Sequence, residues 1–254
     1  WWLCPPRSSP DLVDRPQIQV LIAAPTPEGT ISPGALPTFV SDSPGRLGEK
    51  GEVMSKPTKI LWVNPIGSPA YDDPMGEVMA GIKSSGSQVD VVSLSTPHLP
   101  EHLEYRAYSS LIVGDMVKVA RWADEEGYHA MVIGCFYDPA LEDAREISGQ
   151  TVVVAPCQAS VQIAANLANR FSVIIGQEKW AVQMRERVSA YGYSERLASM
   201  RAIEIGVPDL QKDVCFTTER IMEAGRRAVE EDKAEALILG CTCSFGMHET
   251  LQRE

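Results

Sequence analysis

Two of the chain's six cysteines stand in nearly the same setting. Cys135 ends the run AMVIGC (Ala130 to Cys135), and Cys241 ends ALILGC (Ala236 to Cys241), 106 positions further on. Each run is alanine, three aliphatic residues, glycine and cysteine, and each follows an acidic pair, Glu125 with Glu126 or Glu231 with Asp232. A free thiol ionises near pH ~8.5, so modest tuning brings it into the range of acid and base work. Two thiols facing each other across a cleft suit one task. One removes a proton from one face of a carbon acid, the other delivers a proton to the opposite face, and each ends in the state its partner began in. That chemistry calls for no cofactor and no metal.

The residues around Cys135 bear on its reactivity. In FYDPAL, Asp138 is suited to capping a helix and Pro139 to its first turn. A helix beginning there would turn its N–H groups and positive dipole end toward the sulfur and favour thiolate. The glycine before each cysteine lets the backbone approach a ligand. The bland alternative is a buried cysteine acting as a small hydrophobe; its recurrence in two equivalent places argues for chemistry. Cys157 and Cys243 read as small residues near the cleft, and Cys4 and Cys215 receive no role. His98, His102 and His129 read as surface-loop residues. Cys241, Cys243 and His248 lack the paired C-x-x-C spacing of a structural zinc site, which disfavours a metal or redox protein.

Short apolar runs alternate with helical patterns from Lys59 onward, the signature of crossover-connected parallel strands. Strands are expected at Ile60 to Val63, Val89 to Leu94, Ala130 to Ile133, Val152 to Ala155, Phe171 to Ile175, Ala198 to Ile203 and Ala236 to Leu239. Helices are expected at Pro74 to Ser85, Ser109 to Glu126, Pro139 to Ile147, Ser160 to Ala168, Trp180 to Tyr191 and Thr217 to Asp232. The strand at Ile60 has its echo at Phe171, much as AMVIGC has its echo in ALILGC, so the spacings describe a duplicated α/β unit. Ligands of such sheets bind beyond the carboxyl ends of the strands, where both cysteines fall.

The 254 residues carry a net charge of -11, which excludes the clustered basic surface that nucleic acid or an anionic membrane requires. No apolar run approaches the roughly 18 residues of a membrane span and no signal sequence is visible, so a cytoplasmic protein with reduced thiols is expected. Residues 1–53 hold nine of the 18 prolines and read as a disordered or non-native upstream extension, with Met54 as a candidate start. A first lobe is expected over 54–170 and a second over 171–254, the latter truncated at its C-terminus.

GCFYDPALEDARE (Gly134 to Glu146) and LGCTC (from Leu239) resemble the two cysteine motifs of the Asp/Glu/hydantoin racemase superfamily, and of its hydantoin racemase branch in particular. VNPIGS (Val63 to Ser68) is similar to the first substrate loop of that family, and NRFSVI (Asn169 to Ile174) to the strand opening its second lobe. The resemblance implies an α/β fold of two pseudo-symmetric lobes, each a mainly parallel sheet flanked by helices, with the active site in the cleft between them. It implies cofactor-independent racemisation or epimerisation of an amino acid or hydantoin by Cys135 and Cys241. Asn64, Phe136, Tyr137, Gln158 and Thr242 would contact substrate, Gln158 standing where relatives often carry a glutamate. A small-molecule substrate and a homo-oligomer are expected, with no nucleic-acid or membrane partner. Maleate isomerases of the superfamily also use two cysteines and stay open as a reading, as does a non-catalytic binding protein; arylmalonate decarboxylases keep one cysteine and fit less well.

Overall fold

The computed structural model describes residues 19–21 and 57–253. Its strands are β1 (Gln19–Leu21), β2 (Thr58–Asn64), β3 (Ser87–Ser93), β4 (Ala130–Ile133), β5 (Val152–Val154), β6 (Phe171–Ile175), β7 (Leu197–Ala202) and β8 (Ala236–Leu239). They form two sheets, ordered β3-β2-β4-β5 and β1-β8-β6-β7, with every pairing parallel. The helices are α1 (Asp72–Ile82), α2 (Arg106–Glu125), α3 (Leu141–Ile147), α4 (Pro156–Leu167), α5 (Ala181–Ala190), α6 (Val214–Glu230) and α7 (His248–Arg253). Every strand and helix expected from Lys59 onward is present, with ends moved by a few residues; β1 and α7 were not anticipated.

The duplication holds in the topology. Strands β2, β3 and β4 occupy the same places in the first sheet as β6, β7 and β8 in the second. The fourth place belongs to β5 in one sheet and to β1 in the other, a short piece of the Ile18 to Ala24 apolar run. The remaining residues of the expected 1–53 extension lie outside the described ones.

Burial explains the runs. The last four residues of β2 and all of β6 and β8 are buried, as befits strands covered on both faces by crossover helices. Helix α2 lays Ile112, Met116, Ala120 and Ala123 on the core, a stripe of three- and four-residue steps. Helix α6 does the same with Ile221, Ala224 and Ala228, and Asp213 caps its start by accepting from the Phe216 N–H at 2.9 Å. Helix α4 carries the chain from β5 of the first sheet to β6 of the second.

The repeat reaches individual hydrogen bonds. The Gly134 N–H donates to the Val63 carbonyl at 2.7 Å, and the Gly240 N–H donates to the Ile174 carbonyl at 2.7 Å. A Cβ on Gly134 would lie 2.5 Å from Trp62 Nε1, and one on Gly240 would lie 2.7 Å from Val173 Cγ1. These glycines therefore leave room for the adjoining strand, a nearer cause than approach to a ligand. Among the described residues, no helix is long and apolar enough to cross a membrane.

Candidate active site

Each cysteine sits on a tight turn just past its strand. The Asp138 N–H donates to the Cys135 carbonyl at 3.0 Å, and the Ser244 N–H donates to the Cys241 carbonyl at 3.0 Å, the same residue offset in both lobes. The backbone N–H two residues on, of Tyr137 for Cys135 and of Cys243 for Cys241, favours the thiolate in each turn. The Thr242 hydroxyl joins the two turns by donating to the Gly134 carbonyl at 2.9 Å.

Both turns open on one cavity beyond the carboxyl ends of β2, β4 and β8. Its lining includes Cys135, Cys241, Asn64, Phe136, Tyr137 and Thr242. Those six candidates from the sequence are thus brought together. Asn64 is buried and fixed: its Oδ1 accepts from Trp62 Nε1 at 2.8 Å and its Nδ2 donates to Asp72 at 2.7 Å. Gln158, expected to contact substrate, is not among the lining residues. Its side chain accepts from Arg145 at 2.7 Å, and its backbone N–H donates to Asp138 at 2.8 Å.

Several lining residues had no sequence signal. Tyr71 and Met75 come from the segment after β2, Glu101, His102, Leu103 and Glu104 from the loop before α2, and Trp180, Met184 and Val207 from the second lobe. His102, expected on the surface, thus lines the cavity. Glu104 is nearly buried and spans the lobes, accepting from the Val207 N–H and pairing with Lys179 at 3.2 Å. Arg187 pairs with Glu142 at 3.1 Å across the same division.

Asp138 does not do what its position suggested. Helix α3 starts only at Leu141, with Ala140 in a left-handed conformation ahead of it. The Asp138 carboxylate instead caps α4, accepting from Cys157 N–H at 2.9 Å and Gln158 N–H at 2.8 Å, and from the Tyr191 hydroxyl at 2.8 Å. It binds the turn carrying Cys135 to the start of α4 and the end of α5.

The electrostatics also depart from expectation. Burial pushes the Cys135 thiol up to about 12, against the lowering effect of the Tyr137 N–H. The Cys241 thiol is raised well above its ordinary value, first by a hydrogen bond with Cys243 and then by burial. Burial likewise raises Tyr71 and Tyr137. The thiols are therefore reluctant acids, and whichever is ionised is a correspondingly strong base. Cys135, Cys157, Cys241 and Cys243 are free thiols. Among the described residues, no group of three or more His, Cys, Asp or Glu side chains could hold a metal ion.

Two parallel α/β lobes that each bring one cysteine to a shared cavity define the class of protein. Residues 60–254 match the family model described as Asp/Glu/Hydantoin racemase, and the chain belongs to that family. It is 32% identical over 175 residues to a hydantoin racemase of Pseudomonas sp. (strain NS671), covering 69% of this chain and 70% of that protein. It is 34% identical over 163 residues to a hydantoin racemase of Rhizobium meliloti, covering 64% and 67%. Among solved structures, allantoin racemase from Klebsiella pneumoniae superposes with a TM-score of 0.71 at 25% identity, over 77% of this chain and 79% of that one.

Proposed function

We propose that the chain is a cofactor-independent racemase of hydantoin-type cyclic ureides, with Cys135 and Cys241 exchanging the proton on the carbon between the ring nitrogen and the ring carbonyl. The observation that carries this reading is the pair of matching cysteine turns on one cavity, tied together through Thr242 and Gly134. In the cycle one thiolate takes the proton, an enolate-like intermediate forms, and the opposed thiol returns a proton to the other face. A base with a raised proton affinity narrows the gap to a weak carbon acid, which is what burial supplies at Cys135.

The lining supports a neutral ring over an amino acid. No lysine or arginine is among the described residues that line the cavity, and its carboxylates are Glu101 and Glu104. A substrate carboxylate would be desolvated without a cation to meet it. A ureide carries no charge and offers N–H donors to acceptors on the wall. A dicarboxylate such as maleate fits least for the same reason. The apolar residues Ile66, Met75, Phe136, Trp180, Met184 and Val207 suit a hydrophobic ring substituent.

The test is an enantiopure 5-substituted hydantoin in heavy water, followed by polarimetry and by deuterium at the reacting carbon, with the free amino acid run in parallel. Racemisation of the hydantoin and not of the amino acid is expected. Cys135→Ser and Cys241→Ser should each abolish racemisation, while one of them still exchanges the proton of a single enantiomer. Full activity in either variant would end the two-base reading.

A further inference from the structure

Two cations stand close to the cavity without lining it, and both are paired. Arg106, the first residue of α2, pairs with Glu186. Lys179 lies in the 3-10 turn Glu178–Trp180, beside the lining residue Trp180. It is held from two sides, its Nζ 3.2 Å from Glu104 Oε2 and 4.0 Å from the centre of the Tyr105 ring. Glu104 does line the cavity, with only 7% of its side chain exposed. Its other oxygen, Oε1, accepts from the Val207 N–H at the start of the 3-10 turn Val207–Asp209. Gly206 leaves the space for that oxygen, since a Cβ there would lie 2.9 Å from it. A carboxylate of the first lobe is thus built into the backbone of the second, and it engages the ammonium beside the cavity.

We propose that Glu104 is a specificity-determining residue that keeps carboxylate-bearing compounds out of the cavity, by holding the Lys179 ammonium away from it and by setting its own charge in the wall. The proposal rests on the ureide reading above and deepens it. A neutral ring meets no repulsion from this wall. The ring-opened form of the same ureide, an N-carbamoyl amino acid, brings a carboxylate that does, and it finds no cation free to meet it. Discrimination then comes from a repulsive element as well as from contacts with the ring.

The test is isothermal titration calorimetry with 5-benzylhydantoin and with its ring-opened form, N-carbamoylphenylalanine. Binding needs no turnover, so it reads the wall whether or not the two thiols exchange a proton. The unaltered protein should bind the hydantoin more tightly than the carboxylate. Glu104→Gln keeps an oxygen for the Val207 N–H but turns an amide NH2 toward Lys179, so a negative charge is lost and the ammonium is released. Affinity for N-carbamoylphenylalanine should then rise by about 10-fold, the scale of one charge several ångströms away at the effective dielectric near a protein surface. Lys179→Gln carries the opposite sign: it leaves the Glu104 charge uncompensated and should lower that affinity by about 3-fold. Lys179 is partly exposed, so this second variant still decides should Glu104→Gln fail to fold. Carboxylate bound as tightly as hydantoin by the unaltered protein, no gain with Glu104→Gln, or no loss with Lys179→Gln would overturn the proposal. Absence of racemisation with this pattern of affinities intact would instead strike the two-thiol reading alone.

Discussion

Asp138→Asn sets burial of a charge against the hydrogen bonds that hold it. The carboxylate is fully buried and accepts from two backbone N–H groups and a tyrosine hydroxyl, yet burial outweighs them and lifts it from an ordinary 3.8 to about 6. A folded-state value above the unfolded one means that the native protein binds this proton more tightly. The resulting stability is fully present below the unfolded value and is lost as pH rises through about 6. At roughly 1.4 kcal/mol per pH unit, the whole effect is about 3 kcal/mol, of which about 2 kcal/mol is already regained at pH 4.5. Asparagine keeps the shape and carries no charge to bury, but only its oxygen can accept, so the donors that Oδ2 serves, the Gln158 N–H and the Tyr191 hydroxyl, lose an acceptor. What the substitution removes cleanly is the titration: relative to the unaltered protein, the variant's stability should fall by about 2 kcal/mol between pH 7.5 and pH 4.5. Urea unfolding followed by circular dichroism at the two pH values measures both stabilities. A gap that does not change with pH would show that the hydrogen bonds outweigh burial and refute the reasoning.

Two further outcomes bear on the thiols. Thr242→Val keeps the side-chain shape but removes the donor that reaches Gly134 at 2.9 Å. It should cost about 1–2 kcal/mol of stability and lower kcat more than it raises KM, since the bond sets one cysteine turn against the other; a thermal melt and initial rates by polarimetry check both. With the Cys135 thiol pushed up to about 12, the thiolate population grows about tenfold per pH unit through the neutral range. Initial rates should accordingly climb from pH 7 to 10, and a plateau near pH ~8.5, where a free thiol ionises, would contradict the burial argument.

What could be read from the sequence was whatever rests on neighbouring residues. Runs such as AMVI and ALIL are apolar because they lie in covered parallel strands, so β4 and β8 were found at their observed limits. Repetition of Gly-Cys after each of them located the two turns, and VNPIGS located Asn64. Asp138 shows where this kind of reading stops. Spacing offers it the helix three residues ahead, but its carboxylate reaches Cys157 and Gln158, about twenty positions away, because the sheet brings the start of α4 beside the Cys135 turn. His102 and Glu104 follow the same logic: they stand in an unpatterned loop that reaches the second lobe only once both sheets have formed. The direction of the thiol shifts was out of reach for a related reason, since it depends on how deeply the cleft is buried and on Cys243 beside Cys241. Strand β1 is three residues long and lies far from its partner β8 in the chain, so no local pattern pairs them.

The duplication also constrains how such a site can work. On the proposed two-base reading, equivalent groups must face the two sides of one carbon, and the matching turns after β4 and β8 would present them with the same backbone bonds. The other substituents of that carbon are not equivalent, and both enantiomers must place them in the same walls while only the hydrogen changes sides. A fully symmetric cleft would offer a ring and its substituent two indistinguishable places, and the reacting carbon would not be held between the sulfurs. Here the walls differ: Asn64, Tyr71 and Met75 come from one lobe, Trp180, Met184 and Val207 from the other, and Cys243 is present on one side only. On that reading the backbone repeat would supply the paired chemistry, and divergence of the side chains around it the single orientation that the chemistry requires.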